Sequence, residues 1–269
     1  MNIIIIQENG HHEVNRNFRE CFCLKRGFES HGANVTVWGK GHDNYEETLV
    51  WEDYDLIFAI ENWDWMPDLS QVSVPKFIWA IDAHCKGPKV YEQYGFDKVL
   101  HASLAFVDTE DLWLPNCYDD TIIKPLDIDK SVELGFCGND AGRLSIINWL
   151  MLNFGMKWDE MVLGDDMVRA VNSYKIHWNL NISVDVNYRN FETMGCRTLL
   201  LTSDHADYGK LGISKENCLI YTGHEDLLTQ LKRPADLSIA DKGYDLVKSR
   251  HTYRHRAQQI MEIYERTIK

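Results

Sequence analysis

Residues 185–201, DVNYRNFETMGCRTLLL, set an arginine, a glutamate and a glycine directly ahead of an unbroken apolar run. Leu199 to Leu201 read as a strand buried on both faces, because a half-exposed strand would alternate apolar with polar residues. The residues before it, about 187 to 195, have helical spacing, so a helix delivers the chain into a buried strand. That unit is the building block of a doubly wound α/β sheet.

The same alternation spreads outward in both directions. KWDEMVLG and YKIHWNLNI upstream and NCLIYTG downstream are further strand candidates, with helices expected near residues 165–173 and 224–232. SVELGFCGNDAGR opens this series with a strand that breaks at Gly138 and enters a helix through SIINWLMLNF. An earlier series begins with NIIIIQ, continues through a helical stretch at about 12 to 31, and repeats the strand signal in ANVTVWG, YDLIFAIEN, PKFIWAIDA and FDKVLHA. Pro115 and Pro125 bracket a polar connection between the two series. The expected domains are therefore residues 1–125 and 126–269, two Rossmann-like doubly wound domains facing across a cleft. At the carboxyl end, Tyr253, Ala257, Ile260, Tyr264 and Ile268 are spaced for one face of a helix.

The composition fits this picture and removes others. With 45% hydrophobic and 26% charged residues in 269, the chain has the makings of two cores and none of the bias of a disordered or fibrous protein. No segment reaches the roughly 18 uncharged apolar residues of a membrane helix, and MNIIIIQENGHH lacks the basic start and cleavage site of a signal peptide. A soluble cytoplasmic protein without membrane insertion is expected. The seven cysteines are an odd set with no C-x-x-C pair, which fits reduced thiols. A net charge of −13 disfavours a broad surface for nucleic acid or anionic lipid.

In doubly wound sheets ligands bind beyond the carboxyl ends of the strands. Strand-end residues are therefore the candidates. His11, Glu61 and Asp82 follow strands of the first series, and a carboxylate there can act as general base toward an acceptor hydroxyl. Asp82 weighs most, since it stands directly after the very apolar FIWAI. In the second series Gly138, Asn139 and Arg143 belong to a loop entering a helix, where backbone N–H groups and the helix dipole favour a phosphate. That loop is neither G-x-G-x-x-G nor a Walker loop, and Asn139 or Asp140 as a plain helix cap is an equal reading. Asn181, Asp185 and Asn187 crowd the segment that leads to Arg189 and Glu192. Those last two are three apart, so a helical ion pair contributing about 0.2–0.5 kcal/mol is the plain reading, and ribose binding by the carboxylate is the functional one. Asp127-x-Asp129 lies in the connection rather than after a strand, and no H-E-x-x-H spacing occurs, so no metal site is expected.

YKIHWNLNISVDVNYRNFETMGCRTLLLTS and GYDLVKSRHTYRHRAQQIM together resemble the second half of GT-B glycosyltransferases, in particular the CgeB-like spore-maturation group. LGFCGNDAGR and WLPNCYDD agree more weakly. The resemblance implies a terminal helix packing back on the first domain and a nucleotide sugar, such as a UDP-sugar, bound as co-substrate with no cofactor. It implies Glu192 on the ribose hydroxyls, Arg143 or nearby backbone on the diphosphate, and Arg189 on phosphate or bracing the loop. Many such families carry two glutamates separated by seven residues; here Val184 stands at the first position and Asp185 follows it. The implied reaction is metal-independent sugar transfer to a hydroxyl of a polysaccharide, a protein or a modified nucleobase, with DNA less favoured by the charge. The rivals are a nucleotide-sugar epimerase on the same fold and a non-catalytic nucleotide-sugar binding protein.

Overall fold

The structure, a computed structural model, describes residues 1–10, 12–61, 65–86, 91, 94–109 and 111–268. The chain divides into two compact units, one of Met1–Asn116, Ser183–Asp185 and Thr252–Lys269 and the other of Cys117–Ile182 and Val186–His251. The boundary thus falls at Asn116/Cys117 rather than at 125/126, and the last helix joins the first unit.

The first unit contains β1 (Asn2–Ile6), α1 (Glu20–Glu29), β2 (Asn34–Trp38), β3 (Leu56–Ile60), β4 (Lys76–Ala80), α2 (Ala83–Lys86), β5 (Lys98–His101) and β6 (Leu112–Trp113). They form a six-stranded sheet in the order β2-β1-β3-β4-β5-β6, all pairs parallel. Ile3 to Ile6 and all of β3 have no exposed surface, which is why these strands read as continuous apolar runs. The helical stretch expected over 12–31 resolves into a 3-10 turn at Glu13–Phe18 followed by α1. β6 was not expected, because two residues leave no periodic signal.

The second unit contains β7 (Val132–Cys137), α3 (Leu144–Phe154), β8 (Lys157–Asp159), α4 (Gly164–Ser173), β9 (Tyr174–Asn179), α5 (Tyr188–Gly195), β10 (Leu199–Ser203), α6 (Tyr208–Leu211), β11 (Leu219–Tyr221), α7 (His224–Lys232) and α8 (Ser238–Arg250). Its five strands run parallel in the order β11-β10-β9-β7-β8. The strand order reverses beside β1 in one sheet and beside β7 in the other. Those switch points are where such sheets open a crevice at their carboxyl edge.

The opening stretch behaves as its pattern requires. Phe191 and Met194 of α5 are buried with Leu199 to Leu201. Gly195 is needed because a Cβ there would lie 2.4 Å from the ring of the buried Tyr118. The helical tail breaks at His251 and Thr252 into α8 and α9 (Tyr253–Thr267), and Thr252 caps α9 in a reciprocal box with His255. Tyr253, Ala257 and Ile260 are buried whereas Ile268 is exposed, so the expected stripe packs along most of its length. α9 meets α1 closely: a Cβ on Gly27 would lie 2.6 Å from the Tyr253 carbonyl oxygen.

Residues 114–119 are buried, although a polar connection was expected there. Several of their backbone groups find partners inside the protein, as burial favours. Arg256, 1% exposed, donates from Nε to the Pro115 oxygen at 2.6 Å and from Nη2 to the Asn116 oxygen at 3.1 Å. The Tyr118 N–H donates to the His251 oxygen at 3.1 Å. The terminal His-Thr-Tyr-x-x-Arg-Ala motif is therefore a set of structural ties. No described helix is long and apolar enough to cross a membrane.

Candidate active site

At the carboxyl end of β7 the chain turns through Gly138, Ala141 and Gly142, all in the left-handed region with φ of 155°, 35° and 79°. Arg143 closes the turn. Its guanidinium donates to the oxygens of Asn139 (2.8 Å), Asp140 (3.2 Å) and Leu180 (3.1 Å) and lies 4.9 Å over the Phe136 ring. Burial, helped by Arg189, pulls the Arg143 pKa below its ordinary value. This arginine ties the β7–α3 loop to the segment after β9, so it shapes the loop rather than standing open as a cation. Asn139 is exposed at the rim.

After β9 the polar residues bond to one another. Asn181 donates to the Tyr208 hydroxyl (2.7 Å) and the Ser203 oxygen (3.2 Å), and its own Oδ1 accepts from Asn190 (2.7 Å). Asn187 is the N-cap residue of α5, yet its side chain makes no capping bond. It turns inward instead, donating to Asn179 Oδ1 and the Leu180 oxygen, both at 3.4 Å. Asp185, 8% exposed, accepts from Asn116 Nδ2 at 3.2 Å within the first unit. Among the sequence candidates, Asn181 and Asn187 are thus brought together as loop braces.

Arg189 and Glu192 form the ion pair, at 2.7 Å with side chains 21% and 17% exposed. They are more covered than a surface pair, so solvent screens them less. Beneath them His177 is buried in neutral form. The Cys137 N–H donates to its Nε2 at 3.0 Å, which requires the ring proton on Nδ1, facing Thr193 Oγ1 at 2.6 Å. Burial, with Arg189 and Arg143 adding to it, holds its pKa well below the ordinary value of 6.5.

The first unit's carboxyl edge carries acids. Glu61, 6% exposed, accepts the Asp82 N–H on Oε2 at 2.7 Å, which sets two candidate carboxyl residues side by side. Burial and the neighbouring Glu61 push the Tyr91 hydroxyl pKa far up. His101, fully buried at the end of β5, contacts Asp111 Oδ2 through Nε2 at 3.1 Å. Asp111 precedes the short β6, so the pairing was invisible in sequence. His11 lies outside the described residues. Among the described residues no three of His, Cys, Asp and Glu stand close enough to hold a metal ion.

Sequence reasoning passed over Asn179, Asn190, Thr202 and Tyr208, all buried at the carboxyl edge of the second unit. The available signal was the density of asparagine in the segment from Asn179 to Asn190.

A family model described as glycosyl transferase-like matches residues 122–262. No curated protein sequence matches the chain. Among solved structures, sucrose-phosphate synthase from Thermosynechococcus elongatus superposes with a TM-score of 0.66 at 12% identity, covering 99% of each chain. An α-glucosyltransferase bound to UDP and a 13-mer DNA containing a HMU base gives 0.69 at 10% identity over 98% of this chain and 99% of that one. Anabaena Alr3699/HepE with UDP and glucose gives 0.61 at 12% identity, again over 98% and 99%. The likeness is one of architecture, two parallel-sheet Rossmann-like domains of the kind found in GT-B glycosyltransferases.

Proposed function

The chain belongs to the glycosyl transferase-like family, and from that membership we propose that it transfers a sugar from a nucleoside diphosphate donor, a UDP-sugar, to a hydroxyl of a larger acceptor. The observation that carries the donor assignment is the second unit's carboxyl edge, which lies inside the matched residues 122–262 and at the sheet's switch point. There the left-handed turn of residues 138–142 and the start of α5 offer backbone donors to the diphosphate. Glu192 takes the ribose diol, held in orientation by Arg189. Arg143, Asn181 and Asn187 act by fixing these loops, and Asn139 lies at the rim.

Transfer needs stabilisation of the departing diphosphate and alignment of the acceptor. We assign the acceptor proton to Asp82, with Glu61 anchoring its backbone; His11, the third candidate, lies outside the described residues. The reaction is read as metal-independent, so chelation with EDTA should leave the rate unchanged. We read Asn187-x-Arg189-x-Phe191-Glu192 as a mark of the CgeB-like group. Structures solved with UDP, two of them named above, support a uridine donor. A polysaccharide or protein acceptor is favoured over DNA, because the net charge of −13 repels a polyanion. All seven cysteines are free thiols, which suits the cytoplasm.

A thermal-shift series across nucleotides and nucleotide sugars tests the reading, since a ligand of the native state raises the melting temperature. Stabilisation by UDP and its sugars is expected. Absence of any shift in folded protein would remove the donor assignment.

A further inference from the structure

We propose that the buried network centred on Asn190 and Thr202 is the positioning device of the donor site, fixing the segment from Leu180 to Asn187 in its binding arrangement. The inference rests on the donor assignment above. Asn190 has no exposed surface, and both halves of its amide are engaged. Its Nδ2 donates to Asn181 Oδ1 (2.7 Å), the Asn187 oxygen (3.1 Å) and Asn187 Oδ1 (3.2 Å). Its Oδ1 accepts from Thr202 Oγ1 (3.0 Å) and the Tyr208 hydroxyl (3.1 Å). Thr202 Oγ1 in turn accepts from Asn179 Nδ2 at 3.2 Å, and the Asn179 oxygen accepts from the Tyr221 hydroxyl at 3.0 Å. The Asn181 N–H is held by Ser203 Oγ at 3.0 Å.

The segment is therefore held near both ends by side chains from β10, α5 and α6, with Arg143 on the Leu180 oxygen at its start. None of these amide or hydroxyl atoms is among the buried polar atoms left without a partner. Stability alone does not call for such a network. Well-packed apolar side chains would fill the space with less desolvation, whereas a fully satisfied polar network specifies one arrangement of the backbone. The arrangement it specifies is that of the strand-end segment leading into α5, which carries Arg189 and Glu192. Asn190 and Thr202 touch no ligand in this scheme; they are positioning residues.

Titration of the full chain with UDP by calorimetry, alongside melting curves, tests the proposal. Thr202→Val keeps the shape and removes the hydroxyl, while Thr202→Ser keeps the hydroxyl. We expect T202V to weaken UDP binding about tenfold, the equivalent of one lost hydrogen bond, with T202S within about twofold of the unaltered chain. A T202V protein that melts lower yet binds UDP as before would overturn the proposal and leave the donor assignment standing. If the unaltered chain does not bind UDP, the uridine donor falls and the proposal with it. Should T202V fail to fold, Tyr208→Phe removes another hydroxyl from the same hub and is read by the same two outcomes.

Discussion

At the carboxyl edge of the first sheet the polar residues are mostly ionisable, Glu61 beside Asp82 and His101 against Asp111, whereas at the same edge of the second sheet they are largely amides and hydroxyls bonded to one another. The difference has a physical logic. A diphosphate brought to buried carboxylates would meet uncompensated repulsion, while neutral amides hold the backbone in place and add no charge. A group that takes a proton must be ionisable, and its environment can then tune it. One edge is suited to proton chemistry and the other to holding an anion.

The sharpest way to break that contrast is Asp82→Asn. With Asp82 as the base, the transfer rate should fall by about 10²–10⁴-fold while UDP binding measured by calorimetry stays unchanged; a loss under tenfold would point to a retaining reaction that needs no base. Glu192→Ala should act on the opposite quantity. Loss of a carboxylate hydrogen bond of about 1.5–3 kcal/mol should weaken UDP binding by one to two orders of magnitude, and an unchanged affinity would return Glu192 to a simple ion pair with Arg189. Gly195→Ala tests whether the second edge depends on its packing. The added methyl meets Tyr118, so urea denaturation should show a loss of about 1–3 kcal/mol.

The smallest effect concerns the histidines near the two edges. Burial lowers the pKa of His42, bonded to the Gln7 oxygen, and of His177. The unfolded chain binds these protons more readily than the native one, so the stability they contribute is present above the ordinary pKa of about 6.5 and declines as the pH falls below it. For His177 the slope approaches about 1.4 kcal/mol per pH unit. His177→Asn should flatten the acid limb measured by urea titration between pH 7 and pH 5, even though its starting stability is lower.

Much of the frame was legible along the chain. β1, β3, β4 and β10 appear as unbroken apolar runs because both faces of a parallel strand are covered. Once strands are known, their carboxyl ends follow, and with them Glu61, Asp82, Gly138, Asn181 and the approach to Glu192. The two-residue β6 carried no period. The burial of residues 114–119 was equally hidden, since it depends on Arg256 from the far end of the chain.

Local pattern by itself determined the longer strands and helices and many of the residues at sheet edges, because those follow from side-chain periodicity and backbone preference over a few residues. Only the tertiary structure decided what each edge residue does with its polar atoms. Arg143 turns to three carbonyls, Asn187 turns away from its helix, and His177 keeps its proton on Nδ1. Each choice is set by partners on other elements of the sheet, and a buried polar group takes whichever partner burial leaves it.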